Sequence, residues 1–268
     1  MTRKPYVAGQ FYPSGRERLK ETVAALIDPQ AAPRKAIALV SPHAGYVYSG
    51  PVAGAVFSSV KIPGTCVILG PSHHGIDPLF AIQARGRWAT PLGESRVDEG
   101  LAARILEGSG LVEESEQAHL AEHSLEVQLP FIQYLRPDAA IVPIVVSAEA
   151  RYEDLESFGL ALAEAIRKDG GESLIVASTD MSHYVSQKTA EIKDRSAIRR
   201  VLDLDPAGLF KTVVSERISM CGFQPTAAAL VAARALGAAK AELVRYQTSG
   251  DVSGDYAQVV GYAGIRVS

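Results

Sequence analysis

Three features of the 268-residue chain predict an α/β fold with a mainly parallel central sheet flanked by helices. Short apolar, β-branched runs alternate with helical patterns almost throughout, the order that builds a parallel sheet covered on both faces. Hydrophobic residues make up 47% of the chain and charged residues 21%, ordinary values for a globular protein able to bury a sizeable core. No Pro/Ser-rich linker, composition break or internal repeat interrupts the pattern, so residues 1–268 read as one domain.

Each element has its own signal. GRERLKETVAALI (15–27) places apolar residues at helical spacing. KAIALVS (35–41) and TCVILG (65–70) are continuous β-branched runs ending in small or turn residues, as buried strands do. VDEGLAARIL (97–106) starts with acids, which suits the positive end of a helix dipole. AAIVPIVVS (139–147) and ESLIVAST (172–179) are two further buried strands. YEDLESFGLALAEAIRK (152–168), acidic early and basic late, is the clearest amphipathic helix. QKTAEIKDRSAIRRVLDL (187–204) is another, and PTAAALVAARALG (225–237) closes on a capping glycine. AELVRYQTSG and YAQVVGYAGIRV read as two last strands, an antiparallel extension of the sheet, joined through the hairpin-like turn SGDVSGDY (249–256).

Composition excludes several function classes. With a net charge of −3 and no long basic stretch, the chain has nothing to match a nucleic-acid backbone. Its longest apolar runs, about eight residues, fall far short of the ~20 that span a bilayer. MTRKPYVAGQFYPSG has no apolar signal-peptide core, which points to the cytoplasm. Cys66 and Cys221 are the two cysteines, too few for a disulfide framework, and Cys66 reads as a small hydrophobe within a strand. GPVAG lacks the spacing of a dinucleotide or phosphate loop, and GPSHHG is not a nucleophile elbow.

Ligands of open α/β sheets bind beyond the carboxyl ends of the strands. SPHAGYVYSG carries His43 there, GPSHHG carries His73 and His74, and STDMSHY carries Asp180 and His183. HLAEHSLEVQLP adds His123 at a helix start, with Glu122 and Glu126 beside it; of the six histidines only His119 falls outside such a position. Imidazoles from successive loops can converge on one transition-metal ion, and His43 and His73 follow successive strands. The histidines lack the spacing of a helical zinc site, so the site must be assembled from separate loops. Cys221, in a turn before an apolar helix, has three readings: a buried small residue, a thiolate nucleophile, or a third ligand beside two histidines. Phe11, Tyr12, Tyr46 and Tyr48 are either pocket walls or core aromatics, and His74 is substrate-facing, a supporting neighbour, or solvated.

VAGQFYPSG, SPHAGYVYSG, LGPSHHG, TPLGESRVD, EHSLEVQLPF, STDMSHY and CGFQP follow one another in the order of the Memo family (mediator of cell motility). The chain resembles this family, whose microbial members are called AmmeMemoRadiSam system protein B, from about residue 5 to its end. The resemblance implies the fold of the class III extradiol ring-cleaving dioxygenases, and His43, His73 and Cys221 as metal ligands. It further implies His123 and His183 as acid/base residues and Asp180 as a residue orienting a ligand or water. Thiolate in place of the dioxygenase carboxylate is the departure, and it favours copper or zinc more than a carboxylate would.

Three functions follow from that resemblance. The first is an Fe(II)-dependent, dioxygenase-like oxidoreductase acting on an aromatic or phenolic small molecule or a modified peptide, linked to a radical-SAM enzyme. In it His183 accepts a substrate proton and His123 stabilises or protonates an oxygen intermediate. The second is an adaptor that uses the same pocket for phosphorylated or anionic ligands, and the third an iron or copper carrier. Substrate, physiological metal and oligomeric state are not legible.

Overall fold

Continuous β-branched runs become buried strands because both faces of a parallel sheet are covered and every side chain must be apolar. The computed structural model describes residues 1–170 and 172–268. Its first half comprises β1 (Thr2–Arg3), α1 (Arg16–Leu26), β2 (Ala38–Ser41), α2 (Tyr46–Ser58), β3 (Thr65–Pro71), β4 (Phe80–Ile82), β5 (Arg87–Thr90) and β6 (Gly93–Arg96). There follow α3 (Glu99–Gly108), β7 (Val112–Glu114), α4 (His123–Glu126), α5 (Leu129–Leu135), β8 (Ala140–Val146) and α6 (Tyr152–Asp169). The last third holds β9 (Ser173–Ser178), β10 (His183–Val185), α7 (Gln187–Leu202), α8 (Pro206–Ser215), α9 (Phe223–Ala235), β11 (Ala241–Thr248), α10 (Gly250–Ser253) and β12 (Val259–Val267).

Nine strands form the main sheet in the order β10-β12-β2-β9-β3-β8-β4-β7, with β11 on β12. The four strands expected from the sequence are its centre: β2, β9, β3 and β8 run parallel, side by side. β12 joins β2 antiparallel and carries β11, the antiparallel extension expected of the C-terminal pair. A small sheet of β1, β5 and β6 lies apart. The buried side chains form one apolar cluster that runs from Leu19 and Phe57 through β3 and β8 to Phe158 and Leu230.

Two of the helices that the sequence reading missed, α2 and α8, escaped it for a physical reason. α2 buries nine of its 13 residues, so it has no polar stripe to set against an apolar one. Its small residues admit α1: a Cβ on Gly54 would stand 2.2 Å from the Leu26 carbonyl oxygen. α8 is short and starts on Pro206 after Asp205, whose side chain accepts the Gly208 N–H. In SGDVSGDY the turn is in part helical, since α10 occupies Gly250–Ser253. No described helix is long and apolar enough to cross a membrane.

Candidate metal centre

Three neighbouring parallel strands, β2, β9 and β3, end together at one edge of the sheet. His43 stands two residues beyond β2, Asp180 two beyond β9, and His73 two beyond β3. The register pairs Ser41 with Ser178, so β2 and β9 deliver these loops at the same height. His123 enters from the side as the first residue of α4. Gly70 makes that approach possible, because a Cβ there would meet Ser124 Oγ at 2.5 Å and Leu125 Cδ1 at 2.8 Å. Cys221 arrives from the turn before α9. Gly222 lets that turn sit on the end of β9, where a Cβ would lie 2.3 Å from the Ser178 carbonyl oxygen.

The three imidazoles converge. His43, His73 and His123 each offer a ligand atom, all within 4.8 Å of one another. The His43 and His73 rings meet edge-on at 5.2 Å, and His123 lies 4.4 Å from His73 and 5.5 Å from His43. Cys221 adjoins His43, its Sγ 3.3 Å from Nε2, and Sγ accepts the Asp180 N–H at 3.2 Å.

Glu122 organises the His73 side. Its carboxylate accepts the His73 N–H at 2.7 Å, the Ser124 N–H at 2.8 Å and His73 Nδ1 at 2.9 Å. Burial opposes its charge, but the His73 hydrogen bond and charge prevail and hold the carboxyl down at about 2. Ionised, it can only accept, so His73 Nδ1 carries a proton. Burial alone would lower the His73 pKa, yet the Glu122 hydrogen bond and charge raise it. Burial, reinforced by His73, pushes His123 down to about 4, and burial with the neighbouring imidazoles holds His43 well below the usual range. Both rings are therefore neutral lone-pair donors near pH 7.

Asp180 is buried and accepts the His43 N–H at 2.8 Å; burial raises its pKa, opposed by N–H donors from His43 and Ala44. Burial and the Asp180 carboxylate hold the Cys221 thiol well above its ordinary value in the metal-free site. His183 is half-buried in β10; its Nδ1 meets the Ser219 carbonyl oxygen at 2.8 Å, which fixes the proton there and leaves Nε2 open.

The remaining candidates divide. Phe11 packs on His123 with ring centroids 4.8 Å apart. It also lines a groove of about 850 Å³ together with Tyr12, Arg18, Tyr46 and Val47. The Tyr12 and Tyr46 hydroxyls point inward, to Glu126 Oε1 at 2.5 Å and the Val127 carbonyl at 2.7 Å, and both rings are core aromatics. Tyr48 is exposed, and its carbonyl accepts from Gln247. His74 is exposed, its Nε2 3.1 Å from the Ala121 carbonyl oxygen. His119 is buried against Trp88 and the Ser115 and Pro143 carbonyls, away from the cluster. Glu122 was visible only as an acid next to His123, with no spacing signal to mark it as the partner of His73.

This donor set fits a divalent first-row ion: clustered imidazoles, two of them neutral, an adjacent sulfur, and a carboxylate fixing the ring of one histidine from behind.

Residues 3–266 match the family model described as Memo-like protein. A MEMO1 family protein of Methanothermobacter thermautotrophicus is 40% identical over 275 residues, covering 98% of this chain and 99% of its own. Relatives under the same description in Methanopyrus kandleri and Aquifex aeolicus are also 40% identical, over 278 and 265 residues, each alignment covering 98% or more of both chains. Among solved structures, an uncharacterized protein from Escherichia coli K12 superposes with a TM-score of 0.59 at 13% identity, over 86% of this chain and 99% of that one, which is a likeness of fold. Coverage of nearly the whole chain at this identity makes it a member of the Memo family.

Proposed function

We propose that this chain is a metal-dependent oxidoreductase whose ion, Fe(II), would be held by His43 and His73 with Cys221 or His123 as the further donor. The convergence of three imidazoles within 4.8 Å carries the reading. A bound Fe(II) supplies a centre where a phenolic oxygen and O₂ are brought together and activated. The chain's own groups do the rest. His183, with Nδ1 held by the Ser219 carbonyl, has Nε2 free to serve as the base for a phenolic proton. Asp180 holds the His43 backbone and the Cys221 sulfur in one frame, which keeps the donors in place before an ion arrives. His123, down at about 4, is a lone-pair donor near neutral pH and a poor proton source until an ion or substrate changes its surroundings. Phe11 covers the His123 ring and shields that edge from water.

An adaptor role for anionic ligands has weaker support. In the metal-free site His43 and His123 are neutral, and the charge that His73 can carry is matched by Glu122. Phosphate would find no unpaired cation among them.

Metal analysis of protein purified without oxygen, with anomalous scattering at the iron, copper and zinc edges, tests the centre. One ion per chain is expected, lost in His43→Ala; parallel Cys221→Ser and His123→Ala variants report which neighbour is a ligand. Oxygen uptake by the iron-loaded protein over a panel of phenols and catechols tests the chemistry. No uptake with any of them overturns the redox reading, and saturable binding of a phosphotyrosine peptide would then favour the adaptor.

A further inference from the structure

Beneath His43 lies a chain of hydrogen bonds whose protons are all determined by two backbone carbonyls. Gln128 is fully buried, and its Nε2 lies 2.9 Å from the Pro42 carbonyl oxygen and 2.8 Å from Ser178 Oγ. A carbonyl only accepts, so the atom facing Pro42 is the amide NH₂, and its second hydrogen goes to Ser178 Oγ. Ser178 Oγ also lies 2.6 Å from the Ser124 carbonyl oxygen, which again only accepts, so the one hydroxyl proton is used there. Ser178 has then nothing left to donate. Its contact at 2.9 Å with His43 Nδ1 requires the proton to be on the ring nitrogen.

We infer that Ser178, its one proton held by the Ser124 carbonyl and its oxygen also accepting from Gln128, is a positioning residue that locks His43 with its proton on Nδ1, so that Nε2 keeps a lone pair on the side of Cys221 Sγ and the metal position. The lock exists before any ion binds, and it needs neither residue to touch one. The same arrangement leaves Gln128 Oε1 buried without a hydrogen-bond partner among the described residues. An unmet buried acceptor is a cost a core seldom carries, and turning the amide to relieve it would set an oxygen against the Pro42 carbonyl. His73 has its Nδ1 proton fixed by a carboxylate, whereas His43 has it fixed by neutral groups only. This inference extends the proposed metal centre, but its first half concerns the metal-free protein and stands without that reading.

The test is ¹⁵N NMR of the ring nitrogens of His43 in metal-free protein, paired with Zn(II) titration. The wild type is expected to give a single Nδ1–H tautomer. Ser178→Ala removes the acceptor of the Nδ1 proton; a mixture of tautomers and a roughly tenfold weaker Zn(II) affinity are expected. Gln128→Met removes both amide donors but leaves the Ser124 carbonyl to hold the Ser178 proton, so it should keep the Nδ1–H tautomer. An Nε2–H tautomer in the wild type, an unchanged tautomer in Ser178→Ala, or a changed one in Gln128→Met would each overturn the inference. If wild-type chain binds no Zn(II) yet shows the locked tautomer, the metal reading fails and the lock survives. Should Ser178→Ala not fold, Ser178→Thr, which keeps the hydroxyl, must retain the wild-type tautomer.

Discussion

Glu122 and Glu126 stand one helical turn apart at α4, both buried and both fully engaged, yet they serve opposite ends. Glu126 accepts from Arg3 at 2.7 Å, from the Tyr6 and Val7 N–H groups at 2.8 and 3.0 Å, and from the Tyr12 hydroxyl. All of these partners belong to the first 12 residues, so this carboxylate ties the N-terminal segment to the body of the fold. Glu122 instead accepts from His73 twice and from Ser124. Burial and saturated hydrogen bonding are therefore no signature of function. The partner is: a permanent guanidinium makes an anchor, whereas a ring that can lose its proton and bind an ion makes a site.

The sharpest way to break the contrast is Glu126→Ala. It strands the Arg3 guanidinium, 4% exposed, without its counter-charge, and removing one partner of a buried pair costs about 3–5 kcal/mol. Urea unfolding measures it, and protein that stays folded should keep wild-type metal affinity. A loss of affinity larger than the loss of stability would mean that Glu126 belongs to the site after all.

Glu122→Gln should show the reverse. Partners behind a ligating histidine typically change metal affinity by roughly 10–100-fold when lost, and Gln retains an acceptor for the backbone N–H groups. Stability should fall less than in Glu126→Ala. Titration calorimetry with Zn(II) decides, and unchanged affinity would reduce Glu122 to a helix cap.

A pH series separates the two further. Glu122 is lowered from 4.5 to about 2, so its contribution to the metal-free fold is present above pH 4.5 and is lost as the pH falls toward 2. His73 is raised above 6.5, so its contribution is present below 6.5 and is lost as the pH rises through the folded value. The two overlap between pH 4.5 and 6.5, where the stability gap between wild type and Glu122→Gln should be widest. A gap that is flat across this window would show that the Glu122–His73 pair does not couple to folding.

Much of this was legible in sequence because strands buried on both faces are apolar without interruption, and such runs announce their own ends. Those ends placed His43, His73, Asp180 and His183 at one edge of the sheet, and that clustering was readable. The supporting groups were not. Ser178, Gln128 and Glu122 reach the site by register and by the approach of α4 over Gly70, and neither leaves a pattern in the chain. α2 was hidden for a related reason, being buried on too many sides to alternate. The aromatic residues lay between these cases, since FYP and GYVYSG mark tyrosines without telling which way the hydroxyls turn.

Tyr46 is where that last ambiguity can be settled, and the expected effect is the smallest. Its hydroxyl donates to the Val127 carbonyl at 2.7 Å, and its ring packs 4.9 Å from Phe131. Val127 follows Glu126 directly, so Tyr46 braces the anchoring side of α4 and not the His73 side. Tyr46→Phe keeps the ring and removes one buried, neutral hydrogen bond, worth about 1 kcal/mol with the Val127 carbonyl left unmet. Urea unfolding should register that loss while Zn(II) affinity and oxygen uptake stay at wild-type values. Were oxygen uptake to fall while stability held, the hydroxyl would belong to the pocket wall, and the division of α4 into an anchoring face and a metal face would have to be redrawn.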